Sequence, residues 1–489
     1  MALLAYANSF RSGLVLDNLP AIGQDTRIRE ATAGNVHLIL NQSYWYGSGV
    51  SSLYRPLTTF SYLFNYAILH NGAAPAGYHS LNFALHAANI ALVYLLGLLV
   101  LTEFWPAFAL ALLWAVHPVL TESVTNIVGR ADLMAAFGVL AGLLCYARSV
   151  AEPGRRAVWW RWGLMAAAAI GVFSKESGVV AIAAVFLYDM TYCRDAPRRS
   201  RLYGYGAAAL PVAAFLWVRS TVLAGIPAGH PAFTDNPLWG ADFFTARLTA
   251  IKVVGKYLWL LVWPSRLSCD YSYNQIPLFT WRFDNWEDWK AILALAVCAG
   301  AVAAAAACYR RSKPLFFFIT FFFLALAPTA NLAILVGTIM AERFLYLPSI
   351  GFAGCLAWLV GLPASGWARA GRRRVWRLRP HWERCAWYSA RALSPAMPTG
   401  STTEVCGRAP GARRRTVTRF ISTWRCLRLP RREADGRRPA ARSSGPLPSS
   451  SRCRTSKKCR RFTPPRASVI EPRGTRWGRT VERSGTGNR

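Results

Sequence analysis

Roughly ten mostly apolar segments, each about 15–24 residues long, run between residues 77 and 360, near the ~20 residues that an α-helix needs to cross a bilayer. They fall at about 77–101, 104–118, 131–149, 158–174, 176–192, 203–223, 246–263, 289–309, 314–331 and 343–363. Residues 10–75 form a long polar and aromatic stretch in front of them, in which 57–69 predicts a short helix lying along the membrane surface. The pattern predicts an all-α integral membrane protein, a polytopic bundle of about 10–11 helices with a long first external loop.

The positions of the basic residues orient this bundle. Most of those between the spans fall in three short loops: Arg148/Arg155/Arg156/Arg161, Arg194/Arg198/Arg199/Arg201 and Arg310/Arg311/Lys313. Short basic loops mark the cytoplasmic side. Alternation from the first of them places 10–75, 119–130 and Lys175-Glu176 outside. All three basic loops stay inside only if 246–263 does not cross. That segment is therefore expected to be re-entrant or interfacial, with all of 224–288 external. Lys252, Gly255 and Lys256 within it suit a helix that is not lipid-immersed all round.

Composition divides the chain near residue 364. The whole carries 57 Lys+Arg and 23 Asp+Glu, a formal +34. Residues 364–489 hold 32 of those bases and 6 of the acids (32 − 6 = +26), leaving 25 and 17 (+8) for residues 1–363. The excess charge is thus a tail property and not a nucleic-acid footprint of the whole. The tail is rich in Arg, Pro, Ser and Gly, with only Lys457 and Lys458 as lysines and no helical repeat. It reads as a disordered basic segment or as an out-of-frame translation of GC-rich DNA. Residues 1–8 look like the end of a first membrane helix. The cysteines show neither zinc-ligand spacing nor a disulfide framework, and no metal-ligand set, Gly-rich phosphate loop or nucleophilic triad stands out.

The chemistry-bearing residues gather on the side assigned as external. Asp17 follows the first apolar residues; a carboxylate there can act as a general base toward a hydroxyl, or simply be a solvated loop or cap residue. His117, Glu122, Asn126, Arg130 and Asp132 lie within sixteen residues, and an Arg130 pair with Asp132 or Glu122 would offset the roughly 2.5–3.5 kcal/mol that each charge costs at membrane depth. Lys175, Glu176, Asp270, Glu342 and Arg343 stand at the outer ends of other spans. Arg55, Arg130, Lys175 and Arg343 form a cationic subset suited to a phosphate arriving from the bilayer. His79, Asn82 and His86 share one helical face; the histidines, about 10.5 Å apart along the axis, are too distant for one metal and suit interhelical hydrogen bonds.

Eight motifs in order carry a family resemblance: Leu14-Val15-Leu16-Asp17-Asn18, Tyr54-Arg55-Pro56-Leu57-Thr58, Tyr78-His79-x-x-Asn82-x-x-x-His86-Ala87, Ala115-Val116-His117-Pro118 with Glu122 and Val128-Gly129-Arg130-Ala131-Asp132, Lys175-Glu176, Cys269-Asp270-Tyr271, Ile276-Pro277, and Ala341-Glu342-Arg343-x-Leu345-Tyr346-x-Pro348-Ser349. Over about 10–363 the chain resembles the transmembrane-and-TPR (TMTC-like) protein O-mannosyltransferases. The resemblance implies a GT-C glycosyltransferase fold. It implies transfer of a sugar, in eukaryotic relatives mannose, from a polyprenyl- or dolichyl-phosphate carrier to protein Ser/Thr hydroxyls on the non-cytoplasmic side. Asp17 would be the catalytic base. Arg55, Glu122, Arg130, Asp132, Lys175, Glu176, Asp270, Glu342 and Arg343 would bind substrate, with no cofactor beyond the lipid-linked donor. A bacterial inner membrane is expected, or the endoplasmic reticulum in a eukaryote. The chain departs from the family at Asn18, where a second acid is common, and in lacking a TPR array. The rival readings are a non-catalytic carrier or scaffold, for which intramembrane symmetry between halves is missing, and an inactive fragment of the transferase.

Overall fold

The structure is a computed structural model that describes residues 2–47, 53–226, 232–282 and 284–367. The Arg-rich tail read from the sequence lies outside them. Among the described residues the chain is helical, with no strand. A short α1 (Ala2–Tyr6) leads into an extended segment that holds α2 (Ala33–Asn41) and α3 (Pro56–Leu63). The bundle follows: α4 (Pro75–Leu101), α5 (Phe104–Ala115), α6 (Thr121–Thr125), α7 (Arg130–Ala151), α8 (Gly154–Ser174), α9 (Val180–Tyr192), α10 (Arg198–Val222), α11 (Phe243–Val262), α12 (Trp286–Arg311), α13 (Lys313–Leu326) and α14 (Ser349–Trp367).

Among the described residues, five helical stretches are long and apolar enough to cross a membrane: α4, Ile127–Ala151, α8, α10 and α12. A sixth forms if α5 and Pro118–Thr125, bent by 54°, count as one broken span. The apolar segments at 104–118, 176–192, 314–331 and 343–363 form shorter helices than the sequence pattern suggests, whereas 246–263 corresponds to the 20-residue α11. Pro118 stops α5 one turn early, because proline lacks the N–H that the next turn needs. A 3₁₀ turn over Glu176–Val179 shortens α9 to 13 residues, and Pro328 ends α13 in another. All of these breaks lie at one end of the bundle, which we call the polar pole.

Short connectors alternate the helix directions. Thr102-Glu103 joins α4 to α5, Glu152-Pro153 joins α7 to α8, and Ser312 alone separates α12 from α13. The opposite end, the basic pole, gathers the three arginine-rich connectors. There Asp189, fully buried on α9, accepts hydrogen bonds from Tyr146 of α7 and from Tyr205 and Arg201 of α10, tying three helices together. Small residues allow the closest packing. A Cβ at Gly138 of α7 would lie 2.5 Å from the Gly171 backbone of α8, so only glycine fits there. Gly351 and Gly354 of α14 likewise make room for the buried Phe318 and Phe322 of α13.

α11 is set apart by how it packs on α12. The Lys252 ammonium lies 3.6 Å from Glu287 at the start of α12, and Gly255 meets Ala294 one to two turns further along. The two helices therefore run parallel, not antiparallel. Between them the chain doubles back along α11: Lys252 donates to the Pro277 carbonyl, the Phe279 N–H to Thr249 Oγ1 and the Trp281 indole to Thr245 Oγ1. α11 and its return segment thus leave the chain on the side from which it entered.

Candidate functional site

The polar pole brings together most of the residues singled out from the sequence. The segment leading from α1 carries Asp17 across the mouths of α4 and α7. Asn18 is buried and accepts the Val128 N–H at 3.1 Å through its side-chain oxygen, so a neutral amide here fixes the loop that presents Asp17. Leu16, just before Asp17, takes a left-handed φ of 48°, which is uncommon for a bulky residue and aims the neighbouring side chains outward. The Asp17 carboxylate remains 44% exposed and sits 3.8 Å from Arg343.

Arg343 is the hub. Its backbone N–H and its Nη1 both donate to Glu122, each at 2.8 Å, which fixes the side chain in the direction of Asp17. Burial works to lower its pKa, but Glu122, Asp132 and Asp17 outweigh that and raise it. Lys175 donates to Asp132 at 2.5 Å, and its ammonium lies 5.2 Å from the centre of the Phe344 ring. Burial lowers the Lys175 pKa, the Asp132 carboxylate opposing it. Arg55 contacts Glu176 through Nε and Nη2, both at 2.9 Å, while Glu176 also accepts the Tyr54 N–H. Burial would raise the Glu176 pKa, yet Arg55 more than offsets it and the net shift is downward. The Arg55 and Glu176 pair, with Thr58 donating to the Ser174 carbonyl, clamps the first loop over the α8–α9 junction.

Three cations (Arg55, Lys175, Arg343) therefore face four carboxylates (Asp17, Glu122, Asp132, Glu176). Such a set is close to balanced, so an incoming anion must use donors that are not already committed. Lys175 is 5% exposed and tightly paired, and Arg55 is bound by two nitrogens. Among the described residues, Arg343 commits only one guanidinium nitrogen at hydrogen-bond distance. A small cleft beside it, about 20 Å³, is lined by Asp132, Ser177, Arg343, Phe344 and Tyr346. No group of three or more His, Cys, Asp or Glu is arranged to hold a metal ion among the described residues.

Three sequence-based assignments change. Arg130 does not pair with Asp132 or Glu122 and does not face the cleft. Its guanidinium is fully buried and donates to neutral acceptors: Asn82 Oδ1, Asn65 Oδ1, and the Ser61 and Tyr78 carbonyls, at 2.7–3.0 Å, with the Tyr62 and Tyr78 rings flanking it. It staples the first loop to α4 and α7, with all three guanidinium nitrogens engaged by the protein. Glu342 is a latch, accepting the Ser268 N–H and the Tyr271 hydroxyl, both at 2.6 Å. Asp270 lies exposed at the rim and accepts from the Ser272 N–H and hydroxyl within its own loop. Residues that sequence reasoning missed are Tyr44, whose ring packs against Arg55, and Phe344 between Lys175 and Arg343. Asn82 and His86 make the interhelical bonds expected of them, to the Asn126 carbonyl and to Tyr346 and the Ala115 carbonyl. His79 packs edge-on against Phe10.

Replacing Arg130 with Ala should strand these buried neutral acceptors and destabilise the fold by about 1–3 kcal/mol for each one left unpaired. Thermal unfolding in detergent measures this. A well-folded Arg130→Ala protein with weakened anion binding would instead return Arg130 to the site.

The helices and the charged pole define a multipass membrane protein with a built polar site at one end of its bundle. The family profile described as "Protein O-mannosyl-transferase TMTC, DUF1736" matches residues 228–302, which contain α11 and its return segment. The chain is 29% identical to Drosophila melanogaster Protein O-mannosyl-transferase Tmtc3 over 436 residues, covering 76% of this chain and 46% of the relative. It is 29% identical to Mus musculus TMTC3 (76% and 42%) and 31% identical to Xenopus laevis tmtc2 (60% and 37%). The chain is similar to the TMTC protein O-mannosyl-transferases, the family its motifs resemble. It spans about half the length, or less, of the curated relatives it matches. No solved structure matches it.

Proposed function

We propose that this chain is the membrane domain of a protein O-glycosyltransferase, one that takes a sugar from a polyprenyl-phosphate carrier and transfers it to a Ser or Thr hydroxyl. Mannose is the sugar named in the relatives. The observation that carries the reading is the half-exposed Asp17 facing Arg343 across 3.8 Å at the polar pole. A carboxylate beside a cation is what direct displacement at an anomeric carbon requires. Asp17 accepts the proton of the acceptor hydroxyl as its oxygen attacks. Arg343 holds the phosphate oxygens and stabilises the charge that grows on them as the glycosidic C–O bond breaks. Without a covalent intermediate, the configuration at that carbon inverts.

The lipid part of the donor has a matching surface. An open apolar groove of about 580 Å³ lies among α9, α10 and α13, lined by Val180, Ile182, Phe186, Ala209 and Leu324. Its rim residues Val179 and Pro328 are close in sequence to Ser177 and Thr329 of the cleft beside Arg343. An isoprenoid chain along the groove would bring its phosphate to that cleft. The polar pole would then be the non-cytoplasmic side, with the arginine-rich connectors inside.

Ala209→Trp tests this. Ala209 is exposed on the groove wall, so the bulkier ring should be tolerated by the fold while occupying the groove. Transfer from a long-chain polyprenyl donor should fall by about 4–15-fold, the loss expected on displacing one or two methylene-scale contacts at ~0.8 kcal/mol each. Transfer from a donor with a single short isoprenoid should change little. Equal loss with both donors would remove the groove from the account.

A further inference from the structure

α11 carries a feature that catalysis does not use. Trp259, Val262 and Trp263 at its C-terminal end are each 60% or more exposed, whereas Tyr257, Leu260 and Leu261 on the other face are buried against the bundle. Such a face, uncovered by the rest of the chain, needs an apolar partner.

The register of α11 against α12 says what covers the patch. The two helices run parallel, with Gly255 beside Ala294 and Lys252 beside Glu287. The polar first turn of α12 (Glu287, Asp288, Lys290) ends where its apolar run begins, at Ala291, inside a helix long and apolar enough to span a membrane. At 1.5 Å per residue, Val262 therefore lies on the order of 10 Å past the level at which α12 enters the hydrocarbon. Tryptophan is enriched in this outer zone of the bilayer. The chain that follows turns toward the site, where the Ser268 N–H and the Tyr271 hydroxyl bind Glu342, so its polar groups are not left in lipid.

We propose that the C-terminal end of α11 is a lipid-inserted anchor. Trp259, Val262 and Trp263 contact acyl chains of the leaflet at the polar pole. The bilayer thereby sets the height of the segment after Trp263, which latches onto Glu342 beside Arg343. The proposal rests on packing and exposure, not on the transferase reading.

A photo-crosslinking amino acid bearing a benzophenone, placed at Val262 of the full chain in phosphatidylcholine vesicles, tests it. Position 293, where Leu293 is 60% exposed in the apolar run of α12, serves as the lipid-facing reference, and position 273, where Tyr273 is 79% exposed, as the water-facing one. The expected result is a phospholipid adduct by mass spectrometry at 262 comparable to that at 293, and none at 273. A lipid adduct at 293 with none at 262 overturns the proposal, as does an adduct to protein at 262. If the 262 variant does not elute as a single folded species, the probe at Trp259 carries the same test with the same two outcomes.

Discussion

Asp17→Asn should lower sugar transfer by roughly 10²–10⁴-fold, the usual contribution of a positioned general base. The substitution keeps the side-chain volume and most hydrogen bonding but removes basicity. Asp17 is 44% exposed and its nearest charged partner lies 3.8 Å away, so the fold has little to lose. The position of the loop comes from Asn18 on Val128 and from the Arg130 network, neither of which the variant touches. Donor affinity should therefore stay close to that of the parent protein, and the loss should appear in turnover. The check is a pair of measurements on the same preparation: initial rates with a Ser/Thr peptide, and binding of the polyprenyl phosphate. Undiminished turnover would exclude Asp17 as the base and leave Glu122 as the next carboxylate, since Asp270 stands at the rim in its own turn.

Arg343→Gln should produce the complementary result. The backbone N–H at this position keeps its bond to Glu122, but glutamine is two atoms shorter than arginine and leaves the buried carboxylate without its cation, so folding is checked first by thermal unfolding in detergent. What disappears is the positive charge at the cleft. Losing a charge-assisted hydrogen bond of about 1.5–3 kcal/mol corresponds to roughly 10–100-fold weaker donor binding. Lys175 cannot readily take over, because it is buried and committed to Asp132. Unchanged affinity for the polyprenyl phosphate in a folded variant would move the phosphate site away from Arg343. The contrast matters more than either number: one variant acts on turnover, the other on affinity.

The membrane character of the chain, the alternation of its helices and the side on which its polar residues gather were all legible in the sequence. They depend on local properties, namely segment length, apolarity and loop charge. The charge pattern also singled out 246–263 among the apolar segments, and in the structure α11 packs parallel to α12. Partnerships were less legible. Asp132 joins Lys175 and not its near neighbour Arg130, because α7 and α8 pack through Gly138 and Gly171 and bring the two residues together across 43 positions. Arg130 looked like a phosphate ligand because its acceptors are neutral and distant in sequence, two on the first loop and two at the start of α4. Charge arithmetic along the chain does not reveal a cation satisfied by amides and carbonyls. Helix length was overread for a related reason: apolar residues continue through Pro118 and the turn at Glu176–Val179, but the backbone does not stay α-helical there.

The central claim is that the sugar arrives on a lipid phosphate and leaves for a hydroxyl at the polar pole. The most direct measurement supplies the full-length protein, reconstituted in vesicles, with a Ser/Thr peptide and either polyprenyl-phosphate mannose or a nucleotide-diphosphate mannose, and then weighs the peptide. The expected result is a hexose added from the lipid donor and none from the nucleotide donor. Addition from the nucleotide donor, or no addition from the lipid donor by a folded and inserted protein, would contradict it.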